Sequence, residues 1–161
     1  AYNCSPQRMV LPGEMPAGNF DFIATVPGAQ EALQSEIQKK LKLVGQPAAR
    51  MSDCLLLRVK SQDASGVKPA NGLNYVRQKF SKGEVELTSC SFADLSRVLE
   101  NVLEQPILDQ TKIDGTFNIS FKWDPQDKSF ASVNSELIKQ LGLELVTGRE
   151  SVDVLVVKKA R

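Results

Sequence analysis

Apolar and polar positions change period several times between residues 84 and 157. In 84-EVELTS-89, Val85 and Leu87 alternate with Glu84 and Glu86, which predicts a strand with one buried face. Ser91 with Asp94 three residues on forms a capping box, and Phe92, Leu95, Leu99 and Val102 then recur at helical spacing to about Glu104. Pro106 closes that helix, and 106-PIL-108 reads as a short extended piece. In 116-TFNISFKW-123, Phe117, Ile119, Phe121 and Trp123 share one face, the clearest strand of the chain. Asp124 and Pro125 open a turn, Ser129 caps a helix carrying Val133, Leu137, Ile138 and Leu141, and Gly142 stands where a left-handed C-terminal cap belongs. The segments 143-LELV-146 and 152-VDVLVV-157 flank Thr147–Glu150 and are expected to form a hairpin. The order expected for this half is β-α-β-β-α-β-β.

The first half repeats the later part of that pattern. At an offset of 100, residues 33–60 lie without a gap over 133–160, matching Ser35/Ser135, Glu36/Glu136, Lys39/Lys139, Leu41/Leu141, Leu43/Leu143, Asp53/Asp153 and Leu55/Leu155. Apolar pairs such as Leu33/Val133 and Ile37/Leu137 fall in the same places, so the two segments share a burial pattern as well as letters. Upstream the offset becomes 97, pairing Phe20 with Phe117, Gly18 with Gly115 and 9-MVL-11 with 106-PIL-108. The first half is therefore expected to hold a strand at 20–26, a helix at 29–41 and strands near 43–50 and 53–60. Its counterpart of the opening strand and helix is missing, so the chain is expected to be a fragment of a longer polypeptide. The polar stretch 61–83, rich in Gly, Ser and Pro at its start, reads as a connector. The expected organisation is a first unit at 1–60, a connector at 61–83 and a second unit at 84–161. The expected class is α+β, built by internal duplication, with helices packed on small mixed or antiparallel sheets.

Composition narrows the chemistry. With 161 residues the chain is long enough for a real core without metals or disulfides, and its net charge of +1 gives no field that argues for nucleic acid or anionic lipid. No apolar run approaches the ~20 residues of a membrane-spanning helix. The absence of histidine removes Ser-His-Asp and Cys-His nucleophile activation and mixed His/Cys zinc sites. Cys4, Cys54 and Cys90 form no C-x-x-C pair, and their odd number leaves at least one thiol free; which, if any, pair is open. No Gly-rich phosphate-binding motif is present, and no cofactor is expected.

A few residues remain as candidates. Cys90 precedes the cap Ser91, where helix-terminal amides can lower a thiol pKa, so it is the candidate reactive thiol, against a plain buried corner residue. Cys54 corresponds to Val154 and reads as a core thiol. The pairs Asp109/Asp114 and Asp124/Asp127 stand beside Gly or Pro, where aspartate bonds local amides rather than working as acid and base. Arg58, Lys60, Lys68, Arg77, Lys79 and Lys82 face only Asp63 among acids, so a surface for an acidic partner or lipid headgroups, with Arg77, Lys79 and Lys82 as candidates, stands against a solvated connector. Trp123 is either a partner-binding anchor or part of the apolar face it shares. The strands 116–123 and 152–159 are candidates for recruiting a partner by edge pairing, which needs no special side chains.

The runs 20-FDFIATVP-27, 106-PILDQTKIDGTFNISFKWDP-125 and 137-LIKQLGLELVTGRESVDVLVVKKA-160 resemble the "Soil-associated protein" domain family of environmental bacteria, a domain of unknown function. The most specific block is Pro106, Ile107, Asp109, Thr111, Gly115 and Phe117; Lys112-Ile113 departs from the Gly-Leu common there. The resemblance implies an exported or envelope-attached protein, sometimes appended to thioredoxin-like or metallopeptidase-type signalling proteins. The element order is also similar, more remotely, to the short N-terminal domain of secretins and TonB-dependent receptors, which implies partner binding rather than catalysis. The expected function is a noncatalytic, extracytoplasmic protein-interaction or sensing module. The alternative is a regulatory domain of an envelope-attached thiol-disulfide or metallopeptidase signalling enzyme.

Overall fold

A computed structural model describes residues 2, 4–18, 20–23, 25, 27–61, 66–70 and 77–160, the side chains of 77, 78, 80 and 81 excepted. In chain order the elements are a 3-10 turn Pro6–Arg8, β1 (Met9–Val10), α1 (Ala29–Glu36) running into a π-helical turn Ile37–Leu41, β2 (Leu43–Val59), β3 (Val67–Pro69), β4 (Arg77–Ser81), β5 (Glu84–Cys90), α2 (Phe92–Leu103), β6 (Ile107–Asp109), β7 (Phe117–Lys122), α3 (Phe130–Leu141) and β8 (Leu143–Lys159). The class is α+β, with one four-stranded mixed sheet in the order β1-β8-β2-β6 and one four-stranded antiparallel sheet in the order β3-β7-β5-β4. The chain divides into two units, residues 1–52 with 151–161 and residues 53–150.

The second unit holds the main apolar core. Val85 and Leu87 of β5 sit in register with Phe121 and Ile119 of β7, so the alternation of both strands sends these four side chains to one face. A register shift between Leu87 and Cys90 interrupts that ladder, with Ser89 in the left-handed region at φ 53, and pairing resumes with Cys90 opposite Phe117. The chain then enters α2 through the expected capping box: Ser91 Oγ accepts from the Asp94 amide at 3.2 Å, and Asp94 Oδ2 accepts from the Ser91 amide at 2.9 Å. Phe92, Leu95, Val98 and Leu99 of α2 and Val133, Leu137 and Leu141 of α3 fill the same cluster. Each such side chain contributes about 1.5–3 kcal/mol through its removal from water. Gln140 ties α3 to β7 by accepting from the Lys122 amide at 3.0 Å and donating to the Lys122 carbonyl at 2.7 Å.

The first unit is thinner. β1 lies parallel to the end of β8, with Met9 opposite Leu155, and the Ala160 amide donates to the Lys42 carbonyl at 2.7 Å. Tyr2 Oη accepts from the Gly45 amide at 3.1 Å, and the ring packs so close to Gly45 that a Cβ there would stand 2.8 Å from it. Leu43, Val152, Val154, Leu155 and Val156 are buried, but no residue of α1 or of its π-helical turn is.

Several expectations differ from the observed elements. The hairpin over 143–157 does not exist: Leu143–Lys159 is one 17-residue strand, and Leu43–Val59 likewise replaces the two strands near 43–50 and 53–60. Gly148, expected in a turn, lies within the strand, and Leu56 packs against it so closely that its Cδ1 is 2.6 Å from where a Cβ would stand. The strand expected at 20–26 is absent from the described residues, Phe20–Ile23 and Thr25 having no regular structure, while residues 24 and 26 lie outside the description. Alternation alone makes no strand where no neighbouring strand takes the backbone hydrogen bonds. Within 61–83, read as a connector, β3 pairs with β7 and β4 with β5.

Lys42 and Gly142 both adopt the left-handed conformation, at φ 54 and 63, and each opens a strand of 17 residues. In the second unit the Lys60 amide donates to the Gly142 carbonyl at 2.8 Å, as Ala160 does to Lys42 in the first. There too a short strand, β6, runs parallel to the end of a long one, Leu55 opposite Ile107.

Candidate functional site

The described residues bring Lys79, Lys82 and Trp123 to one end of the antiparallel sheet. β4 and β5 form a hairpin whose turn is Lys82-Gly83, and the Trp123 amide donates to the Gly83 carbonyl at 2.9 Å. Gly83 has φ +77, and a Cβ there would stand 2.6 Å from the Trp123 carbonyl oxygen, so both its conformation and the close approach require glycine. Lys79 lies in register with Glu86 and its Nζ meets Glu86 Oε2 at 3.3 Å; Lys122 Nζ meets Glu84 Oε1 at 2.9 Å, which raises the Lys122 ammonium above its ordinary pKa. The basic stripe is thus partly neutralised across the strands, while Lys82 is exposed. Arg77 stands opposite Thr88 on β4.

Trp123 is half-buried, stacked on Phe121 with ring centroids 5.6 Å apart, and packed against the core. Its Nε1 is buried with no acceptor among the described residues. The indole therefore supports the end of the sheet more than it offers a free anchor.

The edges available for strand addition differ from those expected. Strands 116–123 and 152–159 were the candidates, but β7 lies between β3 and β5, and β8 lies between β1 and β2. The terminal strands are β1, β6, β3 and β4. The first three span two or three residues, and β3 ends in Pro69, features that blunt an edge. β4 spans five residues, and among the described residues no strand pairs with its outer side.

Cys90, the candidate reactive thiol, is fully buried, and its Sγ donates to the Phe117 carbonyl at 3.3 Å. Burial, with Asp94 adding to it, pushes the thiol up from 9.0 to about 11. Only about one molecule in ten thousand then carries a thiolate at neutral pH. The helix terminus beside Cys90 is present, but the capping carboxylate of Asp94 occupies it, and the buried geometry agrees with the plain corner residue set against the reactive thiol. Cys54 is buried, as its correspondence to Val154 implied, and Cys4 is half-buried beside the Ser5 and Arg8 carbonyls.

The paired carboxylates are turn-builders. Asp109 Oδ1 accepts from the Thr111 amide and hydroxyl at 2.9 and 2.7 Å, and Asp124 Oδ1 from the Gln126 amide at 2.8 Å. Hydrogen bonds from Ser129 hold the Asp127 carboxyl below its ordinary pKa. The block 106–117 is one corner in which Pro106 accepts from the Leu55 amide, Lys112 and Gly115 adopt φ 58 and 121, and Phe117 meets Phe92 at 4.9 Å. Sequence reasoning missed Glu100, a fully buried carboxylate on α2 whose Oε1 accepts from the Ile107 amide at 2.9 Å. Its signal was a lone acid directly after Leu99 on an otherwise apolar face. Among the described residues no three His, Cys, Asp or Glu side chains gather as metal ligands, and no helix is long and apolar enough to cross a membrane.

This conjunction of structural corners, a buried thiol and an open edge strand belongs to a chain whose residues 1–160 match the family model described as Protein of unknown function (DUF3738). The chain belongs to that family. No curated protein and no solved structure matches it. In this DUF3738 chain the block 106–117 is tied together by the hydrogen bonds of Asp109 and Pro106 and by the ring contact of Phe117.

Proposed function

We propose that this DUF3738 chain is a noncatalytic protein-interaction module that works outside the cytoplasm and takes up a partner by strand addition along β4. The observation that carries the reading is the five-residue terminal strand Arg77–Ser81, with no strand on its outer side among the described residues. A pairing strand would gain main-chain hydrogen bonds there, and Lys79 and Lys82 would favour an acidic one. The extracytoplasmic assignment rests on the resemblance to the "Soil-associated protein" domains, and the resemblance to the short N-terminal domain of secretins and TonB-dependent receptors supports partner binding over chemistry. A thiol-disulfide role has the weaker support, since Cys90 is buried and protonated.

The test is native mass spectrometry of the protein purified gently from its host's envelope extract, beside the Lys79→Glu/Lys82→Glu variant. A stoichiometric protein adduct that the variant loses supports the reading. A bare monomer, or an adduct that the variant retains, overturns it.

A further inference from the structure

The bonds between β5 and its neighbours fix which backbone groups of β4 face outward. The Trp123 amide donates to the Gly83 carbonyl at 2.9 Å, and bonds alternate along an antiparallel pair, so residues 83, 85 and 87 turn their N–H and C=O groups to β7. Glu84, Glu86 and Thr88 therefore turn theirs to β4, opposite Ser81, Lys79 and Arg77. The groups left over on β4 are those of Gln78 and Phe80. They point to its outer side, where no strand pairs with them among the described residues. The same register assigns two faces. Positions 78 and 80 stand opposite Leu87 and Val85, which are buried, and position 79 stands opposite Glu86, which is exposed. Charge at this end of the sheet is unbalanced: Arg77, Lys79, Lys82 and Lys122 meet two acids, Glu84 and Glu86, and each acid already holds a lysine, Lys122 at 2.9 Å and Lys79 at 3.3 Å. The Lys79 side chain is still 70% exposed, which leaves room for a second carboxylate.

We propose that β4 selects an extended partner segment in which apolar and acidic residues alternate, the apolar ones opposite Gln78 and Phe80 and a carboxylate opposite Lys79. The inference rests on strand addition at β4 and adds the pattern that the partner must carry. The main-chain groups of Gln78 and Phe80 supply the bonds, which any sequence can take, so the side chains supply the choice. Apolar residues opposite 78 and 80 extend the face on which Val85 and Leu87 lie. A carboxylate opposite Lys79 continues a row of alternating sign from Glu86 through Lys79 to the partner. In an antiparallel addition that position is a pair without mutual hydrogen bonds, with Cα atoms about 4.5 Å apart, where side chains come closest and sign weighs most. The same geometry disfavours a second copy of this chain: β4 laid antiparallel on β4 about Lys79 would set ammonium against ammonium.

The probes are two capped synthetic peptides, one of alternating valine and glutamate and one of alternating valine and lysine, each titrated to millimolar concentration into the full chain while amide hydrogen exchange is followed by nuclear magnetic resonance. The expected result is saturable binding of the glutamate peptide with new protection at the amides of Gln78 and Phe80 and none gained at Lys79, whose amide already faces β5. Lys79→Glu should weaken the glutamate peptide about tenfold and strengthen the lysine peptide by a similar factor, a reversal that a loss of folding does not produce. Absence of saturable binding by the glutamate peptide, protection away from 78 and 80, or equal binding of the two peptides overturns the proposal. So does dimerisation of the chain alone that protects the same two amides. If both peptides bind equally at these amides, strand addition stands and the pattern alone fails. If neither protects them and the envelope adduct survives Lys79→Glu/Lys82→Glu, both readings fail.

Discussion

Truncating Leu141 to alanine should destabilise the protein several times more than truncating Leu41, although both are leucines at corresponding points of corresponding helices. Leu141 is 1% exposed, and its Cδ2 lies so close to Gly66 that a Cβ there would stand 2.6 Å away. Removing about three methylene equivalents at roughly 0.8 kcal/mol each loses some 2.4 kcal/mol of transfer energy. The walls of a packed core close only partly on the hole, which brings the total to about 3–5 kcal/mol. Leu41 is half-buried and lines an open cleft of about 290 Å³ with Glu14, Met15 and Lys159, so its loss leaves no sealed cavity and removes about half the transfer term, roughly 1 kcal/mol. The assay is urea unfolding followed by far-ultraviolet circular dichroism, which reports both units. With a slope of about 2 kcal/mol/M, Leu141→Ala should lower the midpoint by more than about 1 M and Leu41→Ala by about 0.5 M or less. Equal shifts would refute the reasoning, because they would mean that α1 is covered as completely as α3.

The Cys90 thiol is raised from 9.0 to about 11, so its contribution to stability is complete below pH 9 and is lost as pH rises toward 11; the folded form binds the proton more tightly than the unfolded. Between pH 8 and 10.5 the native protein should lose roughly 2 kcal/mol that Cys90→Ala does not lose, read as the difference between their urea midpoints, and folded Cys90 should resist alkylation at pH 8. Gly83→Ala forces a side chain into φ +77 and 2.6 Å from the Trp123 carbonyl oxygen, and should cost about 1–3 kcal/mol with a shift in Trp123 fluorescence; a neutral variant would show that the hairpin turn relaxes freely. Lys112 stands at φ 58, where a side chain costs roughly 1 kcal/mol, so Lys112→Gly should raise the melting temperature by a few degrees, and a lower one would contradict the corner geometry.

Local chemistry was legible wherever the deciding interactions lie within a few residues. The capping box at Ser91 and Asp94, the cap at Ser129, the left-handed Gly142 and the Asx turns at Asp109 and Asp124 follow from hydrogen bonds between near neighbours, which residue type and spacing specify. The alternation of 84–89 and 117–122 likewise marked strands because their partners bury one face of each. Sequence alone also determined the offset-100 correspondence and the absence of histidine chemistry.

Tertiary structure decided what depends on distant partners. A polar interruption at Thr147–Glu150 looks like a turn, but it lies inside β8, a strand hydrogen-bonded to its neighbours in the mixed sheet, with Leu56 packed against Gly148. Phe20–Ile23 carries the alternation of a strand and forms none, since a strand needs a neighbour to take its hydrogen bonds and none pairs with it among the described residues. Cys90 sits where a helix terminus can activate a thiol, yet burial governs its proton. Which strands are edges follows from pairing order alone, so β7 and β8, the plainest strands in the sequence, are interior, and β4 is the longest terminal strand among the described residues. Propensity and capping are encoded residue by residue; burial, desolvation and strand order are properties of what the rest of the chain brings alongside.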